Sequence, residues 1–181
     1  NWDVSNVTLM QGMFQCCYRY NQPINDWNVS NVKNMMNMFN NARMFNQPID
    51  DWNVQNVQTM SGMFCTCNQF NQPLNNWCVS NVTRMDNMFA HAVVFNQPLD
   101  WNTKKVKTMR AMFKYAYRYN SNVLFITENV TNMSRMFERT YIRHAEILLV
   151  DTGNVTDMSH MFRSSTFNYP IYHMDVSNVT N

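Results

Sequence analysis

Cysteine is the residue type in this chain best suited to covalent or metal chemistry, and its spacing argues against both. Cys16–Cys17 and the pair Cys65/Cys67 lack the two-plus-two spacing of a structural zinc site, and with Cys78 the total is odd, against a disulfide framework. The histidines His91, His144, His160 and His173 sit in no H-E-x-x-H and beside no paired cysteine, and are read as surface residues. Asp26, Asp50, Asp51 and Asp100 lie near the expected strand entry and could attract calcium. Asn75 and Asn76 replace them once, however, and a calcium ladder needs regular carboxylates. There is no glycine-rich phosphate loop and no G-x-S-x-G elbow. No catalytic residue, metal or cofactor is therefore expected, and the chain reads as non-enzymatic.

The elements that would position any site come from a repeat. Trp recurs at 2, 27, 52, 77 and 101, and Met-Phe at 13, 38, 63, 88, 112, 136 and 161, a period of 24 to 25 residues. Seven units and part of an eighth are present, regular over 1–103 and degenerate over 104–181, and the whole is one repeat domain. Within a unit, Val32, Met35, Met38, Phe39 and Ala42 fall at i, i+3, i+6, i+7 and i+10, which predicts one face of a short helix. Ser30 or Asn31 is placed to cap it, Pro48 marks its end, and Asn46 is suited to the left-handed turn usually given to Gly. After Pro48, Ile49, Trp52 and Val54 carry the alternation of a very short strand with Asn53 outward. The expected fold class is an α/β solenoid, short parallel strands on one face and short helices on the other. Neither element is stable alone, so stacking must supply the core. Its ladders are Trp2, Trp27, Trp52, Trp77 and Trp101, and Phe14, Phe39, Phe64, Phe89, Phe113, Phe137 and Phe162. Cys17 and Cys67 take the small core position of Ala42 and Ala92 two repeats apart, too far for a disulfide, so free thiols are expected.

With these residues in place, "FNQPLNNWCVSNVTRMDNMF" (70–89) resembles the BspA-like surface-protein repeats in their roughly 25-residue mycoplasma-lipoprotein form. The likeness is strong over the first four units and weaker from Lys104 onward. There Ile126, Val150 and Met174 stand roughly where Trp was, and "YIRHAEILLVDTG" departs from the pattern. The resemblance implies a leucine-rich-repeat-like curved solenoid, adhesion or protein interaction as its work, and no catalytic residues.

Charge narrows the partners. Lys plus Arg is 14 against 12 Asp plus Glu, and a net +2 gives no broad basic field for nucleic acid or an anionic membrane. The longest apolar stretch, around Ile147 to Val150, is far too short to span a bilayer, so no membrane insertion is expected. Sequons at Asn6, Asn28, Asn81, Asn129, Asn132, Asn154 and Asn178 arise from the repeat itself, and these asparagines are assigned to capping helices or bonding backbone between coils. Outward in W-x-V stand Asp3, Asn28, Asn53, Cys78 and Asn102, a polar row suited to a protein or glycan partner. The function expected is a binding module of adhesion type on the cell surface or outside the cell. The alternative is a structural part of a surface fibre, stalk or virion coat, whose partners are neighbouring chains. The chain begins and stops inside a unit, so it is read as a segment of a longer one.

Overall fold

The computed structural model describes residues 2–143 and 146–181; of the residues singled out above, His144 lies outside them. Each repeat forms one coil stacked on the next, and the polar backbone decides how. From Met35 to Asn41, the amides of Met35, Asn37, Phe39 and Asn41 donate to Thr59, Ser61, Met63 and Cys65 of the next coil at 2.7–3.1 Å. The intervening amides of Met38, Asn40 and Ala42 close turns on Met35, Asn37 and Phe39 at 3.2, 3.0 and 2.9 Å. That of Met36 donates to Asn34 Oδ1 at 2.8 Å. Every amide in the segment has its acceptor, as a buried backbone requires.

This bonding corrects the expected α/β solenoid: among the described residues there is no α-helix, only one 3₁₀ turn at Thr152–Asn154. The leucine-rich-repeat-like pairing of a helical face with a strand face falls with it. A helix would return each amide to the carbonyl four residues back. Here alternate amides leave the coil, and the rest close overlapping three-residue steps. The left-handed backbone at Asn37 (φ 56) and Asn41 (φ 62) is incompatible with a helix and recurs in every unit. The apolar stripe is nonetheless buried as read: Val32, Met35, Met38, Phe39 and Ala42 all lie in the core.

Among the described residues strands too are fewer and differently placed than expected. β1 (Leu99–Trp101), β2 (Val123–Ile126) and β3 (Ile147–Val150) form a parallel sheet in that order, and β1 ends at Trp101, where W-x-V was to begin a strand. Pairing of Trp101 with Phe125, and of Phe125 with Leu149, shows that these two residues succeed Trp, not Ile126 and Val150. Elsewhere single parallel bridges run Leu9, Asn34, Thr59, Arg84, Thr108, Asn132, Asp157, one per coil.

The core is a set of ring ladders. Phe14, Phe39, Phe64, Phe89, Phe113, Phe137 and Phe162 stack with centroids 5.4–5.8 Å apart. A second file, Phe45, Phe70, Phe95 and Tyr119, lies 4.0–4.2 Å from the first. Full burial of one such ring contributes roughly 2–3 kcal/mol. Trp52, Trp77 and Trp101 are buried, and their indole N–H groups donate to Ile24, Ile49 and Leu74 carbonyls, which explains Trp over Phe there. Trp27 is half-buried, and Trp2, in the first coil, is 67% exposed.

Asparagine supplies a polar ladder beside the rings. Asn46 does not take the left-handed turn expected of it; its Oδ1 accepts the Asn71 amide at 2.9 Å, as Asn21 does for Asn46 and Asn71 for Asn96. The sequon column bonds backbone between coils, Asn81 Nδ2 to Gln55 O and Asn154 Nδ2 to Glu128 O among them.

Candidate interaction surface

Just after the Trp ladder the chain turns outward, and the exposed row expected to bind begins there. Asp3 Oδ1 accepts the Ser5 amide (2.9 Å), Asn28 Oδ1 both the amide and hydroxyl of Ser30 (3.1 and 2.7 Å), Asn53 Oδ1 the Gln55 amide (3.2 Å) and Asn102 Oδ1 the Lys104 amide (3.2 Å). Cys78 Sγ lies 3.3 Å from Ser80 Oγ. Each side chain thus folds onto the backbone two residues ahead, a local turn for which Asp and Asn are the preferred residues. These bonds hold the Asp3 carboxyl below the usual carboxylate range and the Cys78 thiol below its ordinary value. All five positions are exposed, and the structure brings them into one column, one per coil.

Two columns on this outward side change character along the stack. The residue before Trp is Asp26, Asp51, Asn76 and Asp100 in successive coils and then, by the sheet register, Leu124 and Leu148. The column holding Asn102 continues into Ile126 and Val150. Inward, Val123, Phe125, Ile147 and Leu149 are buried; outward, Leu124, Leu148 and Val150 are exposed at 40, 41 and 43%. β2 and β3 are therefore apolar on both faces. That composition belongs to strands covered on both sides, yet among the described residues only the inner face is covered. Sequence reasoning noted "YIRHAEILLVDTG" as a departure without reading a face from it. The usable signal was the unbroken apolar runs Val-Leu-Phe-Ile and Ile-Leu-Leu-Val.

Two shallow cavities of about 240 and 200 Å³ meet on this face. Leu124 and Leu148 line the first with Asp100 and Glu146; Leu148 lines the second with Tyr169, Pro170 and Tyr172. Exposed Asp100, Glu146 and Asp151 give the apolar centre an acidic rim. Asp50, in the neighbouring column, is bound to the next coil, its carboxylate accepting the Asn76 amide and side chain at 3.0 and 2.7 Å.

The groups able to do chemistry stay apart. All five cysteines are free thiols; Cys67 is buried, its Sγ donating to Ala42 O at 3.1 Å, while Cys17 in the first coil is exposed. Among the described residues no three His, Cys, Asp or Glu side chains converge as metal ligands. Among the described residues no helix is long and apolar enough to cross a membrane.

One family's model matches in three overlapping segments, residues 1–100, 44–141 and 123–181, and the family is described as "Mycoplasma protein of unknown function, DUF285". The overlap follows the repeat, since a model longer than one coil can be laid on the stack in several registers. No curated protein and no solved structure matches the chain.

Proposed function

We propose that this chain, which belongs to the DUF285 family of mycoplasma proteins of unknown function, is a non-enzymatic surface module that binds a protein partner through the outward face of β2 and β3. The observation that carries this reading is the double-sided apolar composition of the two strands, with Leu124, Leu148 and Val150 left in solvent. Contiguous exposed apolar surface of this kind marks interaction sites. Its acidic rim selects the partner's chemistry: an extended segment with apolar side chains flanked by Lys or Arg. The resemblance to BspA-like surface repeats adds the location, on or outside the cell, and adhesion as the work.

Selection from a random peptide library on the immobilised 181-residue chain tests this. Enriched peptides should combine apolar residues with flanking Lys or Arg and lose at least about tenfold in affinity for Leu124→Glu/Leu148→Glu, a change of about 1.4 kcal/mol. An Asn28→Ala/Asn53→Ala variant should bind them normally. Peptides that bind Leu124→Glu/Leu148→Glu as tightly as the parent would sink the reading.

A further inference from the structure

The modest net charge conceals a strong segregation. Residues 104–166 carry ten Lys and Arg against five Asp and Glu, whereas residues 1–103 carry four against six. Much of the excess stands on the turn face, where backbone bonds align successive coils: the His91 amide on Lys114 O, Tyr115 on Glu138 O and Arg139 on Arg163 O.

Aromatic rings hold the cations in place. Tyr115 is stacked on His91 at 4.6 Å and has the Arg139 guanidinium at 5.3 Å and Lys114 Nζ at 5.1 Å from its centroid. The Arg143 guanidinium lies 6.0 Å from the Tyr141 ring. Arg139 and Tyr141 share a cavity of about 270 Å³ with Tyr117 and Ser164. Buried Glu138 is engaged by Lys114 at 3.3 Å and Arg135 at 3.5 Å, and among the described residues Arg118, Arg139, Arg143 and Arg163 form no ion pair. Such ring contacts orient a cation without neutralising it.

We infer that this turn face is a second binding site, taking an acidic polysaccharide whose sulfate or carboxylate groups pair with Arg139, Arg143 and Arg163. Planar guanidinium groups suit anionic oxygens through paired N–H donors. Successive coils present cations along the stack, which suits a linear polymer with repeating charge. A single-stranded nucleic acid would need free ring faces on which to stack its bases; those of Tyr115 are taken by His91 and the cations, while Tyr117 and Tyr141 stay exposed, so oligo(dT) is the competing ligand in the test.

The test is titration of the 181-residue chain with heparin, neutral dextran and oligo(dT) at low and raised salt. Heparin should bind, weaken with salt, and lose about tenfold in affinity for Arg139→Gln/Arg163→Gln, each exposed pair accounting for a few-fold. Lys33→Ala/Lys105→Ala removes the same charge from a separate cavity and should leave the affinity unchanged. Equal losses in both variants would show diffuse attraction and overturn the site. So would dextran binding as well as heparin, oligo(dT) binding more tightly, or no heparin binding at low salt.

Discussion

At the scale of single residues, the stack tolerates exceptions that the repeat does not advertise. Tyr119 continues the file of Phe45, Phe70 and Phe95, yet its hydroxyl is fully buried and has no hydrogen-bond partner among the described residues, and burial pushes its ionisation well above the ordinary tyrosine value. Tyr119→Phe should therefore raise stability by about 1 kcal/mol in thermal or denaturant unfolding, since an unmade buried bond is removed and the ring stays. Thr66 is a β-branched residue at φ 59, where Asn41 stands one coil earlier. The frame imposes that backbone, because the Thr66 amide must reach Ala90 O at 2.7 Å. Cysteine gives a further contrast. Burial pushes the Cys67 thiol far up, while Cys78 is exposed with its thiol lowered by Ser80. An alkylating reagent needs the thiolate. Cys78 should be labelled in the native state and Cys67 only on unfolding, as mass spectrometry of timed samples would show; equal rates would mean that the core opens freely.

At the scale of the element, the stripe Val32, Met35, Met38, Phe39 and Ala42 is buried as read while Trp2 is exposed, and the backbone is not the expected helix, for a physical reason. The spacing of Val32, Met35, Met38, Phe39 and Ala42 suits a helix and also a run of overlapping turns, since both bring these side chains to one side. What separates them is the left-handed position. Gly12, Asn37, Gly62 and Asn87 share one column with positive φ, and two glycines and two asparagines there were a legible sign. Ala111, Arg135 and His160 continue the column and blur it. The ring ladders were legible because identical residues at a fixed period can only stack. The strand register was not, because Phe125 and Leu149 replaced Trp one position before the residues chosen by counting. Gly62→Ala probes the turn directly: its Cβ would stand 2.2 Å from Asn37 Oδ1 at φ +64. The expected cost is at least about 1–2 kcal/mol, read from unfolding midpoints.

At the scale of the molecule, the stack sorts its surfaces. Its outward columns are polar and bonded to their own backbone in the regular units and apolar on β2 and β3, while cations gather on the turn face of the later coils. The polar row Asp3, Asn28, Asn53, Cys78 and Asn102 was legible as an exposed column. The apolar face was not, because only the pairing register shows which side Leu124 and Leu148 occupy. The division predicts where a protein partner sits. Methyl NMR of the labelled chain, titrated with a library-selected peptide, is the most direct measurement. The account predicts that the signals of Leu124, Ile126, Leu148 and Val150 shift together while those of the inward Leu74, Val79 and Val106 stay in place. Shifts confined to residues flanking Asn28, Asn53 and Cys78, with Leu124 and Leu148 unmoved, would contradict it.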